Sequence, residues 1–196
     1  MHKLILASSS KTRQSLLTNA DVIYTAQPPL VDETEMHREL ISFPPQQIAL
    51  ELAKAKAISV SLVHPRAFVI GADQILEFEK KPMHKATSMA EAKRKLKRLR
   101  GKTHHLHSGF ACARNGRVVH SEIISATLKM RDFSDEFLND YLAATGKEIL
   151  AAAGCYFYEG RGIQLFEMVE GDYSTILGLP LLPLLAFLRQ SSIIYA

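Results

Sequence analysis

Hydrophobic and polar positions along this chain fall into blocks whose period changes several times. LILAS at 4–8 is a short apolar run of the kind a buried strand requires. Ser9 or Ser10 then stands where a helix is capped, and a helix to about Asn19 turns Leu16 and Leu17 inward. VIYTAQPPLVDE at 22–33 predicts an extended segment, broken by Pro28 and Pro29 and ending at the acidic group Asp32, Glu33 and Glu35. Pro44 and Pro45 suit a first helical turn, after which Ile48, Leu52, Ala55 and Ile58 follow a helical stripe. AFVIGAD at 67–73 predicts a strand and residues 88–100 a helix beginning at Ser88. HHLHSGFACA and GRVVHSEIISATLKM predict strands joined by an Asn115-Gly116 turn, and Ser134 opens a helix through Ala144. Helices and strands in alternation predict an α/β fold with a mixed sheet.

Composition narrows this to one domain over residues 1–196. With 47% apolar and 22% charged residues, a chain of this length buries roughly 70% of its unfolded surface. The balance of 24 basic against 20 acidic residues does not demand a nucleic acid partner, yet it suits a phosphate-bearing ligand. Cys112 and Cys155 fit neither a disulfide framework nor zinc-ligand spacing, which points to a reducing, cytoplasmic compartment. The apolar segment near the start is too brief for a signal-peptide core. ILGLPLLPLLAFL near the end holds two prolines and is shorter than the roughly 20 residues of a bilayer span, so it reads as core and no membrane partner is expected.

Within this frame Asp73 stands out. It is one carboxylate in the apolar run AFVIGADQILEF, followed at once by Gln74. An unpartnered charge there would cost several kcal/mol. Asp73 is therefore either a salt-bridged structural residue or a catalytic or metal-binding carboxylate at a strand end, where α/β proteins place their chemistry. SSSKTR at 8–13 sets three hydroxyls and Arg13 at a helix N-terminus, which is either a simple cap or a phosphate site. Lys56 reads equally as a solvated helix lysine. The run KRKLKRLRGK at 93–102 resembles a nucleic-acid patch, but Leu96 and Leu99 are three apart and can face the core, which favours a solvated basic face. In THHLHS, strand alternation puts His105 and His107 on one face and His104 on the other, so only a pair could converge on a metal.

The order LILASSS with Arg13, VDET at 31–34, LAKAKA at 52–57, GADQ at 71–74, GKTH at 101–104 and EGDYSTILGLPL at 170–181 resembles the Maf family of nucleoside triphosphate pyrophosphatases over nearly the whole chain. The resemblance implies an α/β fold with a mixed twisted sheet flanked by helices, in two lobes with a central cleft. It implies hydrolysis of a nucleoside triphosphate to the monophosphate and pyrophosphate with Mg²⁺ or Mn²⁺, and it leaves room for a homodimer. Asp73 matches the catalytic aspartate that takes the proton of the attacking water. Arg13, Lys56 and Lys85 match the residues that hold the triphosphate, with Ser8 and Ser10 lining the turn, while Glu33 and Asp73 match the metal-binding carboxylates.

Substrate is implied by three further positions. Family members acting on dTTP and UTP typically carry an arginine, a threonine and a glutamine where this chain has Thr12, Gln74 and Glu159. Gln74 and Glu159 resemble instead the subfamily hydrolysing N7-methyl-GTP, although Thr12 stands where that subfamily often has an aromatic residue and Ala86 replaces the usual proline. Guanine presents two adjacent donors, which a carboxylate accepts as a pair, and N7-methylation adds a positive charge. The alternatives are a dTTP or UTP pyrophosphatase, and a catalytically silent nucleotide- or nucleic-acid-binding regulator. Lys56→Ala and Lys85→Ala are both expected to weaken catalysis with little change in melting temperature.

Overall fold

The computed structural model describes residues 3–195. The fold is α/β with a seven-stranded mixed sheet. The chain divides into two compact units, one holding the residues up to Gln74, His107–Ile124 and those from Asp172 onward, the other Ile75–Leu106 and Ser125–Gly171.

The first unit is built on β1 (Leu4–Ala7), whose four residues are all buried. It lies parallel to β2 (Thr25–Gln27) on one side, and on the other pairs Leu6 with Ile70 and Ala7 with Gly71 in β3 (Phe68–Phe78). A strand covered on both faces and flanked by parallel neighbours reads as a continuous apolar run, which is what LILA is. The hydroxyl of Ser10 accepts the Arg13 N–H at 3.3 Å and caps α1 (Lys11–Asn19), with Leu16 and Leu17 buried as expected. The acidic group does not end an extended segment. Asp32 caps a short helix α2 (Glu33–Glu39), accepting the N–H groups of Thr34 and Glu35, and the acids of its first turn complement the helix dipole.

Helix α3 (Pro45–Val63) begins at Pro45 as expected, but its buried face is rotated from the expected stripe. Ile48 and Leu52 are buried, whereas Ala55 and Ile58 are half-buried; the interior row is Ala49, Ala53, Ala57 and Val60. Close approach explains the rotation. A Cβ on Gly71 would lie 2.2 Å from the Ala53 carbonyl oxygen, and one on Gly109 would lie 2.9 Å from that of Ala49. Small residues on both sides let the helix backbone rest on the sheet, and that turns Lys56 inward beside Ala57. Gly71→Ala should accordingly lower stability by about 2 kcal/mol or more through overpacking, measured as a drop in the urea midpoint.

β5 (Thr103–Arg114) and β6 (Arg117–Met130) are joined by Asn115 and Gly116, both at positive φ, as a tight primed turn requires. Within the first unit, α6 (Tyr173–Ile176) precedes α7 (Leu181–Gln190), whose Leu184 and Leu188 share one core with Leu4, Leu6, Leu17, Ile70 and Phe110. No described helix is long and apolar enough to cross a membrane.

In the second unit, β4 (Lys81–Met83) pairs antiparallel with Leu76–Phe78, and β7 (Phe166–Glu170) pairs antiparallel with the end of β6. Ser88 caps α4 (Met89–Leu99), which buries Leu96 and Leu99, and Ser134 caps α5 (Asp135–Thr145). The basic run lies largely against acids: Lys97 and Arg100 meet Asp135, Arg98 and Lys102 meet Glu79, and Lys95 meets Glu91. Such pairing removes much of the free positive charge a nucleic-acid surface needs.

His104 is fully buried in this unit. Its Nε2 shares a hydrogen bond with the Tyr156 hydroxyl at 2.8 Å, while its Nδ1 has no partner among the described residues. The imidazole sits near the rings of Tyr156 and Phe166, and burial, helped by neighbouring His105, lowers its pKa to about 4 from an ordinary 6.5. The unfolded chain takes up a proton below pH 6.5 that the folded chain refuses until about pH 4. Stability therefore falls across that window as pH drops, by about 3 kcal/mol from this group. Urea titrations at pH 7 and pH 4.5 should show this loss shrinking in His104→Phe.

Candidate active site

The site lies in the first unit and begins where β1 ends. Ser8, buried, turns the chain toward α1, its hydroxyl accepting the Ser10 N–H at 3.2 Å. One turn later Arg13, half-buried, donates from Nε to the Gly178 carbonyl at 2.8 Å, with Nη1 3.5 Å from the Ser8 hydroxyl. Burial pulls the guanidinium below its ordinary pKa, and the charges of Asp73 and Glu33 push back. Arginine nevertheless stays charged at any physiological pH. Thr12, also half-buried, precedes it on the same helix.

Asp73 and Lys56 answer each other's burial. Asp73 is only 8% exposed and Lys56 only 4%, and the Lys56 ammonium donates to Asp73 Oδ1 at 2.6 Å while sitting 3.1 Å from Glu33 Oε2. Lys56 is thus no solvated helix lysine. Glu33, on the first turn of α2, keeps about half its side chain in solvent, so the cluster is buried at Asp73 and wet at Glu33. Of the readings open for Asp73, the structure shows the salt bridge, to Lys56.

Gln74, next on the strand, is fastened to the segment after Asp172. Its Nε2 contacts the Ser108 hydroxyl at 2.8 Å and the carbonyls of Thr175 and Ile176 at 3.0 Å each, and the Ser108 hydroxyl donates to the Thr175 carbonyl at 2.7 Å. Asp172 holds the same segment at its start by accepting the N–H groups of Ser174 and Thr175. Ser108, Asp172 and Gly178 are absent from the residues expected at the site. Asp172 followed by Ser174 and Thr175 is a cap signature that could have marked the segment as built rather than loose.

Two expected residues belong to the other unit. Lys85 is exposed in the loop between β4 and α4, with Ala86 buried beside it. Glu159 is exposed in the turn after Tyr156–Tyr158, and Arg161 nearby pairs with Asp140.

Among the described residues, no three His, Cys, Asp or Glu side chains gather as a metal site. Glu33 and Asp73 supply two carboxylates that share one ammonium, a donor set fitting a hard cation that keeps waters and takes further oxygens from a phosphate. Cavities of about 410 and 610 Å³ lie elsewhere, the first lined by Phe78, Lys95 and Arg98, the second by Val22, Tyr24 and Ile194. The first also holds a carboxylate–ammonium pair, Glu91 with Lys95 at 3.3 Å, but the Asp73–Lys56 pair is shorter and more deeply buried and has Glu33 beside it, which makes the Asp73 cluster the chemical candidate.

Residues 3–191 match the family described as Maf-like protein. The chain is 44% identical to a nucleoside triphosphate pyrophosphatase of Maricaulis maris, covering 99% of each protein. It is 45% identical to a 7-methyl-GTP pyrophosphatase of Bartonella quintana, over 97% of this chain and 96% of that one. A nucleoside triphosphate pyrophosphatase of Caulobacter vibrioides is 46% identical over 94% and 93%.

Proposed function

This chain belongs to the Maf family, and from that premise we propose that it hydrolyses a nucleoside triphosphate to the monophosphate and pyrophosphate. The observation that carries the reading is the Lys56 ammonium held between Asp73 and Glu33, with Arg13 in the field of the same two carboxylates. The Lys56 ammonium donates to Asp73 Oδ1. A triphosphate competes for that ammonium and for Arg13, and as it draws Lys56 away it frees the carboxylate of Asp73 for a water. Asp73 takes the proton of that water as its oxygen bonds to phosphorus, and the bridging oxygen between the first and second phosphates leaves as pyrophosphate. Lys56 and Arg13 offset the charge gathering on the phosphate oxygens, and by family pattern Lys85 adds to them. Glu33 and Asp73 would hold Mg²⁺ or Mn²⁺, which when bound neutralises phosphate charge.

N7-methyl-GTP is the substrate this reading favours. The name of the Bartonella quintana relative supports it, as does a glutamate at position 159, whose carboxylate pairs with the adjacent donors of guanine and favours the cationic methylated base. Pyrophosphate release from N7-methyl-GTP, GTP, UTP and dTTP, with and without Mg²⁺, tests both levels. The wild type should prefer N7-methyl-GTP, and Glu159→Gln should lose guanine activity at least tenfold more than pyrimidine activity, since an amide sets a donor against a donor. Equal losses on all four, or a wild type preferring UTP, would sink the base assignment alone. No release from any triphosphate would sink the pyrophosphatase reading.

A further inference from the structure

We infer that Glu91 and Lys95, paired on one face of α4, are positioning residues for Lys85 in the loop between β4 and α4. This rests on the reading of Lys85 as a triphosphate ligand. β4 ends at Met83 and Ser88 caps α4, so residues 84–87 carry the loop. The two helix residues reach back to both of its ends. Lys95 Nζ donates to the His84 carbonyl, and Glu91 Oε2 accepts the N–H and the hydroxyl of Thr87 at 2.8 Å each. Glu91 Oε1 lies 3.3 Å from Lys95 Nζ, which ties the two anchors together. They stand four residues apart, the spacing that sets side chains on one helix face.

Lys85 lies between these anchors, exposed, with Ala86 buried beside it. An alanine at 86 leaves φ free where a proline would fix it, so contacts must supply the stiffness of the loop. Glu91 also belongs to the start of its helix, its N–H donating to the Ser88 hydroxyl at 3.2 Å. A cap alone, however, has no use for a hold on His84, on the far side of Lys85. Lys95 provides that hold, and with 12% of its side chain exposed it is no solvated lysine of the basic run. The hydrogen bonds from Thr87, with Lys95 adding to them, lower the Glu91 carboxyl to a pKa of about 2, so the acceptor stays ionised near neutral pH. With the backbone on both sides of Lys85 set in advance, only its four-carbon side chain remains to be ordered when a phosphate binds.

Charge and position predict opposite signs for one substitution. Glu91→Met removes a negative charge, which by charge alone would tighten the binding of an anion, whereas loss of the anchors should weaken it. Inorganic tripolyphosphate with Mg²⁺ is the probe, its binding measured by calorimetry on folded wild type, Glu91→Met, Lys85→Ala and the double variant. Glu91→Met should bind about fivefold more weakly and Lys85→Ala about tenfold. In the Lys85→Ala background Glu91→Met should change binding by less than about twofold, since the residue it acts through is gone. Should Glu91→Met fail to fold, Lys95→Met, which leaves the contacts of Glu91 with Thr87 and Ser88 in place, takes its place with the same expected loss and the same disappearance of that loss in the Lys85→Ala background. Unchanged or tighter binding by the variant, losses that add in the double variant, a Lys85→Ala variant that binds like wild type, or a wild type that does not bind tripolyphosphate would each overturn the inference. A wild type that binds tripolyphosphate but releases pyrophosphate from no nucleotide would instead overturn the proposed function and leave the positioning role standing.

Discussion

Asp73→Asn should lower kcat by about 10³-fold while leaving the fold and nucleotide affinity largely intact. The amide has nearly the shape of the carboxylate and can still accept from Lys56, so the strand end keeps its packing. It cannot take a proton from water, and the loss therefore falls on kcat rather than on binding. Lys56 meanwhile retains Glu33, 3.1 Å away, as a counter-charge, which limits the cost of losing one negative charge beside a buried ammonium. Single-turnover release of pyrophosphate, with nucleotide binding measured separately, checks this. A variant within tenfold of wild-type kcat would remove Asp73 from the base role and leave it a structural partner of Lys56.

Lys56→Met should cost about 3 kcal/mol of stability in addition to most of the activity. The same change at an exposed lysine would be nearly silent, but here it strands Asp73, 8% exposed, without its 2.6 Å partner. Removing one member of a buried pair is far more costly than removing both. The double variant Lys56→Met/Asp73→Asn should therefore regain most of the lost stability, a coupling readable from urea midpoints. If Lys56→Met melts like the wild type, Asp73 is better hydrated than its burial implies. Lys85, exposed in its loop, should show no stability change in Lys85→Ala, so the two lysines, which share one sequence-level expectation, part company once burial is known.

The contrast shows where the sequence is legible. Strands such as LILA and helices begun by Ser10, Ser88 and Ser134 announce themselves, because a period and a cap are local signals. The Asn115-Gly116 turn does so for the same reason. Helix α2 escaped because its opening acids, the cap Asp32 and the first-turn Glu33 and Glu35, follow an extended segment broken by two prolines, and Glu33 reads equally as a candidate ligand. The rotation of α3 depends on Gly71 and Gly109, glycines on strands whose contact with the Ala49, Ala53 and Ala57 row exists only after folding. Asp73 could be seen to need a partner, but that Lys56 is that partner, with Glu33 beside it, is a fact of tertiary structure. Gln74 is the sharpest case. Comparison of residue patterns marks the position as meaningful for substrate choice, whereas the two carbonyls it faces belong to residues about 100 positions further along and could not be paired with it by eye.

The core shared by Leu4 and Leu6 of β1 with Leu184 and Leu188 of α7 also bears on how the chain is made. A ribosome delivers the strand first and the helix that covers it about 180 residues later, which at 5–20 residues per second means roughly 10 to 40 s. For that time the apolar face of β1 lacks part of its cover. Equilibrium stability hardly registers so long a closure, since its entropic cost grows only logarithmically with length, but the rate of folding does. Nascent chains arrested before residue 181 should be open to protease attack and attractive to chaperones, and release of the segment bearing Leu184 and Leu188 should end both.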